Sequence, residues 1–139
     1  MKKFVLFATA LFFSAAMMAQ TKPEDLVKFN TETHNFGKIK QGIPVTYYFE
    51  IKNISDQKVV VENASASCGC TVPEKPEQPI LPGASAKLKV VFNAGTIGPI
   101  QKEVLVKFAG VDQQKVLRIT GEVVAADQPQ AAPAKTKGK

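Results

Sequence analysis

The sequence predicts an all-β fold, an immunoglobulin-like antiparallel β-sandwich of about seven strands. Three observations predict it. Apolar and polar residues alternate with a period of two in several short segments after residue 19. Turn residues separate these segments at intervals of roughly 8 to 15 residues, and no stretch shows a convincing helical period. A small barrel is the runner-up architecture, and the Cys…Trp…Cys arrangement of antibody domains is absent from the sequence.

A signal peptide is predicted over residues 1–19. Lys2 and Lys3 precede an uncharged, mostly apolar run that ends at Ala19. The run has about 16 residues, whereas a membrane-spanning helix needs roughly 20. We expect cleavage after Ala19, and cleavage after Ala16 is the alternative. The product is an exported protein, periplasmic or extracellular, that does not span the membrane. No cysteine near either point offers a site for a lipid anchor.

The sandwich domain is predicted over residues 20–126, and its strands follow in order. Pro23–Leu26 suits a single helical turn, Val27 and Phe29 begin a first strand, and a second short strand contains Phe36 and Ile39. The next two strands are predicted to form a hairpin around the turn at residues 53–56. They cover residues 45–52 and 58–62, and three further alternating strands cover residues 86–92, 103–108 and 117–123.

A disordered tail is predicted over residues 127–139, because Pro, Ala and Lys dominate it and it has no large apolar side chain to bury. We interpret its lysines as solubilising. Contact with an acidic envelope polymer or anionic lipid is the alternative.

The net charge of +6 does not indicate nucleic-acid binding. Five of the 18 basic residues lie in the leader and the tail, which leaves 13 basic and 11 acidic residues between residues 21 and 126. Such a nearly neutral domain lacks the basic field that drives phosphate binding.

The Cys68-Gly69-Cys70 run is the first candidate motif, because it places the two cysteines of the sequence close together. In an oxidising compartment the two cysteines can bridge each other. Such a small ring stabilises a fold by only roughly 1.5 kcal/mol, so it favours a labile rather than a structural bridge. In a strand, both thiolates would lie on one face and could bind Cu(I) with a third ligand from His34, a Met or a partner chain. Alternatively, they are two small buried thiols. The sequence predicts no cofactor and no metal site of its own.

The His34-Asn35-Phe36-Gly37 run is the second candidate motif. His34 could act as a base or a ligand, or pair with a cysteine. No orienting third group or oxyanion hole accompanies it. We therefore expect Phe36 to fill the core, Gly37 to permit a bend or bulge, and His34 to hydrogen-bond a backbone group near an edge.

Five motifs follow one another along the predicted domain. They are His34-x-Phe36-Gly37-x-Ile39 with Gly42, Phe49-x-Ile51-x-Asn53, Ser67-Cys68-Gly69-Cys70-Thr71, Pro82-Gly83 and Ile119-x-Gly121-x-Val123. Together they resemble the domain-of-unknown-function family 1573, over about Val27 to Val124. The family occurs in exported bacterial proteins and is similar to immunoglobulin-like domains of the major-sperm-protein and Hydin type. The resemblance implies the fold and export, and it implies no reaction.

Two hypotheses for function follow from the sequence. The first is a non-catalytic interaction module of the bacterial envelope, whose protein partner binds at a sheet edge formed by the short first strands or by the turn at residues 95–99. The second is a thiol-based redox or Cu(I)-binding protein that uses Cys68 and Cys70. The sequence contains no recognisable carboxylate pair or Ser/His/Asp set, so we do not predict an enzyme.

Overall fold

The computed structural model describes residues 19–127. Eight strands form two four-stranded sheets that pack face to face, which confirms the predicted β-sandwich. The predicted leader and the tail lie outside the described residues, apart from Ala19 and Asp127 at their borders. The elements are α1 (Pro23–Leu26), β1 (Val27–Phe29), β2 (Thr33–Lys40), β3 (Val45–Asn53), β4 (Val61–Ala66), β5 (Thr71–Glu74), β6 (Ser85–Phe92), β7 (Gly98–Phe108) and β8 (Lys115–Val124).

The first sheet has the order β1-β3-β6-β5, and all its strand pairs are antiparallel. The second sheet has the order β2-β8-β7-β4, in which β2 pairs with β8 in parallel. The prediction of a wholly antiparallel sandwich is therefore wrong for this pair. Alternation along a strand identifies its buried face but carries no information on the direction of its neighbour.

The predicted hairpin between residues 45–52 and 58–62 is also wrong, because β3 and β4 lie in different sheets. The buried side chain of Asn53 organises the crossing between them. Its Nδ2 donates to the carbonyl oxygens of Gln57 at 2.7 Å and Ile80 at 2.8 Å, and its Oδ1 accepts from the Ser55 amide at 2.9 Å. The turn thereby becomes an arch from one sheet to the other.

The boundaries of β4 and the existence of β5 differ from the prediction. β4 spans Val61–Ala66, while Val59 forms an isolated bridge with Ile80. β5, which contains Pro73, was not predicted. The three valines at 59–61 have a high strand propensity, so the predicted strand was placed too close to the N-terminus. The observed bounds of β4 are set by its pairing with β7.

The core between the sheets is mainly aliphatic. Phe49 and Phe108 are its largest fully buried side chains, and Phe29 packs against Phe108 with ring centroids 6.4 Å apart. The alternating apolar residues of β3, β6, β7 and β8 supply most of the rest, as their period of two predicted. In residues 19–127, no helix is long and apolar enough to span a membrane.

Candidate functional site

The Cys68-Gly69-Cys70 loop connects β4 of the second sheet to β5 of the first sheet. The two sulfur atoms are bonded, and the Cα atoms of Cys68 and Cys70 lie 5.3 Å apart. Both cysteines are half-buried, and Cys70 packs against the core. Of the arrangements considered from the sequence, the structure contains the bridged one.

The bridge contributes little to the stability of the fold. It closes a ring of three residues, for which loss of chain entropy in the unfolded state predicts about 1.6 kcal/mol. A bridge across a whole domain of 100 residues would contribute about 4.7 kcal/mol. The core, rather than this bridge, therefore holds the sheets together.

Thr71 places a hydroxyl group beside both sulfur atoms. Its side chain is buried, and its Oγ1 lies 3.8 Å from Cys68 Sγ and 4.0 Å from Cys70 Sγ. Its backbone amide donates to the Cys68 carbonyl oxygen at 3.3 Å and closes the turn. Because a hydroxyl can donate to a thiolate, Thr71 can stabilise negative charge on either sulfur.

A groove with a volume of about 450 Å³ lies beside the bridge, and Cys70 forms part of its wall. The buried ring of Phe92 contributes to its lining, and the side chain of Ile97 is 55% exposed. Lys102 adds a positive charge. The other lining residues are Asn93, Gly95, Thr96, Gly98, Pro99 and Ile100.

One wall of the groove is an open edge of β7. β4 pairs with β7 from Val104 to Phe108, and the Ser67 amide then donates to the Glu103 carbonyl oxygen at 3.0 Å. After Ser67 the chain turns away to the first sheet. Backbone groups of alternate residues point to the same edge, so the N–H and C=O of Gln101 lie on this edge without a strand partner in residues 19–127. The C=O of Pro99 shares that edge.

His34 lies elsewhere in the fold. Its ring stacks on Tyr47, with centroids 3.6 Å apart, and meets Phe36 edge-on at 4.7 Å. Burial lowers the pKa of His34 from its ordinary value of 6.5. These aromatic contacts hold the ring of His34 in place.

The structure does not bring His34 and the cysteines together. β2 forms one edge of the second sheet, and the loop with Cys68 and Cys70 leaves from the opposite edge. The idea that His34 completes a copper site or a Cys–His pair is therefore wrong. Residues 19–127 contain no group of three or more His, Cys, Asp or Glu side chains placed to hold a metal ion.

Phe36 and Gly37 take the places that the sequence analysis gave them. Phe36 is buried in the core. Gly37 has a φ of 68°, and its amide donates to Asn35 Oδ1 at 2.8 Å. The pairing of β2 with β8 shifts register between Asn35 and Lys38, which is a bulge.

The open edge at Gln101 was not predicted from the sequence. The predicted strand began at residue 103, yet Ile100 and Lys102 continue the same alternation, and β7 begins at Gly98. A β7 of 11 residues beside a β4 of six residues leaves unpaired backbone. The available signal in the sequence was the alternation at Ile100 and Lys102, which extends the strand beyond its predicted start.

Comparison with known proteins confirms the resemblance. The family described as "Protein of unknown function (DUF1573)" matches residues 27–123. No curated protein sequence matches the chain.

Solved structures share the fold. A protein of unknown function from Porphyromonas gingivalis W83 is 14% identical, with a TM-score of 0.61, over 81% of this chain and 51% of that one. The ASH / PapD-like domain 7 of human CEP192 is 12% identical, with a TM-score of 0.60, over 85% and 99%. The VesB protease of Vibrio cholerae is 16% identical, with a TM-score of 0.57, over 72% of this chain and 32% of the protease. The chain thus spans about half or less of the Porphyromonas and Vibrio proteins.

Proposed function

We propose, on the premise that this chain belongs to the family described as "Protein of unknown function (DUF1573)", that it is an exported, non-enzymatic interaction module of the bacterial cell envelope. Its binding site is the open edge of β7 beside the Cys68–Cys70 loop. Its partner is an envelope protein that contributes an extended segment.

The observation that carries this proposal is the unpaired backbone of Gln101, which lies between Ile100 and Lys102 of the groove lining. A segment that continues the line of β4 would run antiparallel to β7 and pair with the N–H and C=O of Gln101. Alternate side chains of that segment would point into the groove against Phe92 and Ile97. Backbone pairing would supply affinity, and the apolar lining would supply selectivity.

The other sheet edges are less suited to strand addition. β1 has three residues, and β5 has four with Pro73 among them. β2, which was predicted as a candidate edge, carries the bulge at Gly37. β4, at the other edge of the second sheet, also carries a register shift, between Val61 and Asn63. Short strands, proline and bulges are the devices that block edge pairing, so β7 is the better binding edge.

Absence of enzymatic activity is proposed from the placement of the candidate groups. The residues that sequence reasoning offered for catalysis are His34 and the two cysteines, and they lie at opposite edges of the fold. A partner would be recognised at this face through its shape and through backbone pairing.

Export is proposed from the leader over residues 1–19 and is supported by the bridged cysteines, which suit an oxidising compartment. N-terminal sequencing of the protein from fractionated cells tests it. We expect the periplasmic or extracellular fraction to contain a chain that begins at Gln20. A chain that retains Met1 in the cytoplasm would contradict export.

Site-specific photo-cross-linking in cells tests the binding edge. We expect benzoylphenylalanine in place of Gln101 to capture one envelope protein. The same probe in place of Val116, an exposed residue on the outer face of β8, serves as the control. Identical cross-links from both positions would contradict the proposal.

A pair of variants tests the backbone pairing directly. Gln101→Pro removes the unpaired N–H while β7 already accommodates Pro99 with the same orientation. We expect Gln101→Pro to abolish the cross-link from a probe at Ile97, and Gln101→Ala, which keeps the N–H, to retain it. Equal capture by both variants would show that no strand pairs there.

A further inference from the structure

We propose that the Cys68–Cys70 bridge is a thiol–disulfide exchange site whose co-reactant is a cysteine pair on the segment bound in the groove; this inference rests on the proposed function. A thiolate of the segment attacks Cys70 Sγ, a new S–S bond forms between them, and the Cys68–Cys70 bond breaks. Cys68 leaves as a thiolate and takes up a proton. The segment's second thiolate then attacks the segment's own sulfur in the mixed disulfide, and a new S–S bond forms within the segment. The bond to Cys70 breaks, and Cys70 leaves as a thiolate and takes up a proton. Two electrons pass to this protein, which becomes a dithiol, and the partner becomes a disulfide.

The direction of attack follows from the position of the two sulfur atoms. Cys70 lines the groove and Cys68 does not, so we assign Cys70 Sγ as the sulfur that a bound segment attacks. Thr71 Oγ1 lies 3.8 Å from Cys68 Sγ, where its hydroxyl can donate to the departing thiolate. Exchange is faster when the leaving thiolate is stabilised.

Lys102 supports the first step. It lines the same groove as Cys70, so its ammonium group favours the ionised form of a thiol that enters there. The ionised thiolate, rather than the thiol, is the attacking species.

The loop around the bridge is held by hydrogen bonds that do not involve sulfur. The Asn93 amide donates to the Cys70 carbonyl oxygen at 2.8 Å, and the Ser67 amide donates to Glu103 at 3.0 Å. The Thr71 amide also donates to Cys68. Opening the bridge therefore leaves the loop anchored at both ends, and the reaction can run in both directions without unfolding.

Reduction of the purified, folded protein by dithiothreitol is the first test. We expect two thiols to appear without denaturant while the circular dichroism spectrum is unchanged, and glutathione disulfide to restore the bridge. A bridge that becomes reducible only after denaturation would overturn the proposal.

A matched pair of variants tests Thr71 as a positioning residue. Thr71→Val removes the hydroxyl and keeps the shape, while Thr71→Ser keeps the hydroxyl. We expect Thr71→Val to slow reduction by glutathione roughly tenfold, and Thr71→Ser to stay near the parent rate. The pH profile of the rate should shift only for Thr71→Val, while thermal unfolding identifies any simple loss of stability. Equal rates and profiles in both variants would refute this role.

A blocked peptide, acetyl-Val-Thr-Cys-Val-Thr-amide, tests the groove. With the Cys68→Ser variant, whose Cys70 thiol remains, we expect the peptide's glutathione mixed disulfide to react several-fold faster than glutathione disulfide. Gln101→Pro should remove this advantage. A peptide that reacts no faster, in a protein that dithiothreitol reduces while folded, would leave the exchange site standing and refute the binding edge. A bridge that resists reduction would refute the exchange whatever the peptide does.

Discussion

The carbonyl oxygen of Gly37 on β2 lies 2.9 Å from the position that a Cβ atom on Gly121 of β8 would occupy. The bulge at Gly37 turns this carbonyl towards the neighbouring strand, and Ile39 and Phe36 close the remaining space at 3.3 and 3.5 Å. The two glycines of separate motifs are therefore one structural unit.

Gly121→Ala should destabilise the protein by about 1–3 kcal/mol, because a methyl group at this site would press on backbone rather than on a flexible side chain. Urea unfolding measures the loss. Gly95→Ala, where nothing lies within 4 Å of the new methyl group, is the control and should stay within about 0.5 kcal/mol. Equal stabilities of the two variants would contradict the close approach of β2 to β8.

Asn53→Ala should cost about 2–4 kcal/mol, since it removes the buried hydrogen bonds to the carbonyl oxygens of Ile80 and Gln57 and leaves the Ser55 amide without its acceptor. The isolated bridge between Val59 and Ile80 should open as well, with faster amide hydrogen exchange at Val59. Asn63→Ala, at an exposed position on β4, should change stability by less than about 0.5 kcal/mol. A small effect at Asn53 would show that its hydrogen bonds do not hold the arch.

Stability should fall in mild acid because of His34. Burial lowers its pKa below 6.5, so the unfolded chain takes up a proton more readily than the folded one. The contribution is present in full above pH 6.5 and is lost as the pH falls through the lowered pKa of the folded state. Thermal unfolding between pH 8 and pH 5 measures it against His34→Phe, which keeps an aromatic ring on Tyr47 without a titrating group. Parallel curves for the two proteins would contradict this account.

Lys115 should anchor the N-terminal segment to β8. Its Nζ lies 2.8 Å from Glu24 and 2.6 Å from Glu32. Burial alone lowers the pKa of Lys115, and the hydrogen bonds to both carboxylates outweigh it and raise that pKa. Lys115→Met should cost about 0.5–1 kcal/mol, because both carboxylates are largely exposed.

Limited proteolysis should show which segment of the chain is destabilised in the Lys115→Met variant. We expect Lys115→Met to be cleaved faster within residues 20–32, and Lys115→Arg to resemble the parent protein. Unchanged cleavage in Lys115→Met would show that the ion pairs do not hold the segment.

Removal of both cysteines should be tolerated. Cys68→Ala together with Cys70→Ala should fold with a loss of about 1.6 kcal/mol, which is the chain-entropy contribution of the small ring. Urea unfolding measures this loss in the free energy of unfolding, with the m-values of the variant and the parent protein expected to be equal. Failure of the double variant to fold would assign the bridge a structural role.

The sequence predicted the features that depend on local hydrophobic alternation and on residue type. β3, β6 and β8 each carry their own alternation and lie close to their expected positions, and Phe36 and Gly37 behave as their residue types suggest. β5 has four residues and a proline, so its alternation is too short to stand out. It exists because β6 pairs with it.

Features that depend on contacts between residues far apart in the sequence could not be predicted from the local pattern of apolar and polar residues. Whether β3 pairs with β4 is decided by Asn53 contacting Ile80, 27 residues away in the chain. Stacking of His34 on Tyr47 needs two strands from different sheets. The groove exists because β7 extends beyond the end of β4. This difference in length can be seen only when the strand pairs of the second sheet are known.

The parallel pairing of β2 with β8 also sets an order of events during biosynthesis. The strand that begins at Thr33 has no hydrogen-bonded neighbour until Lys115–Val124 has left the ribosome, some 80 residues later. The second sheet therefore cannot be completed until synthesis has passed Val124, although every strand of the first sheet is made by Phe92.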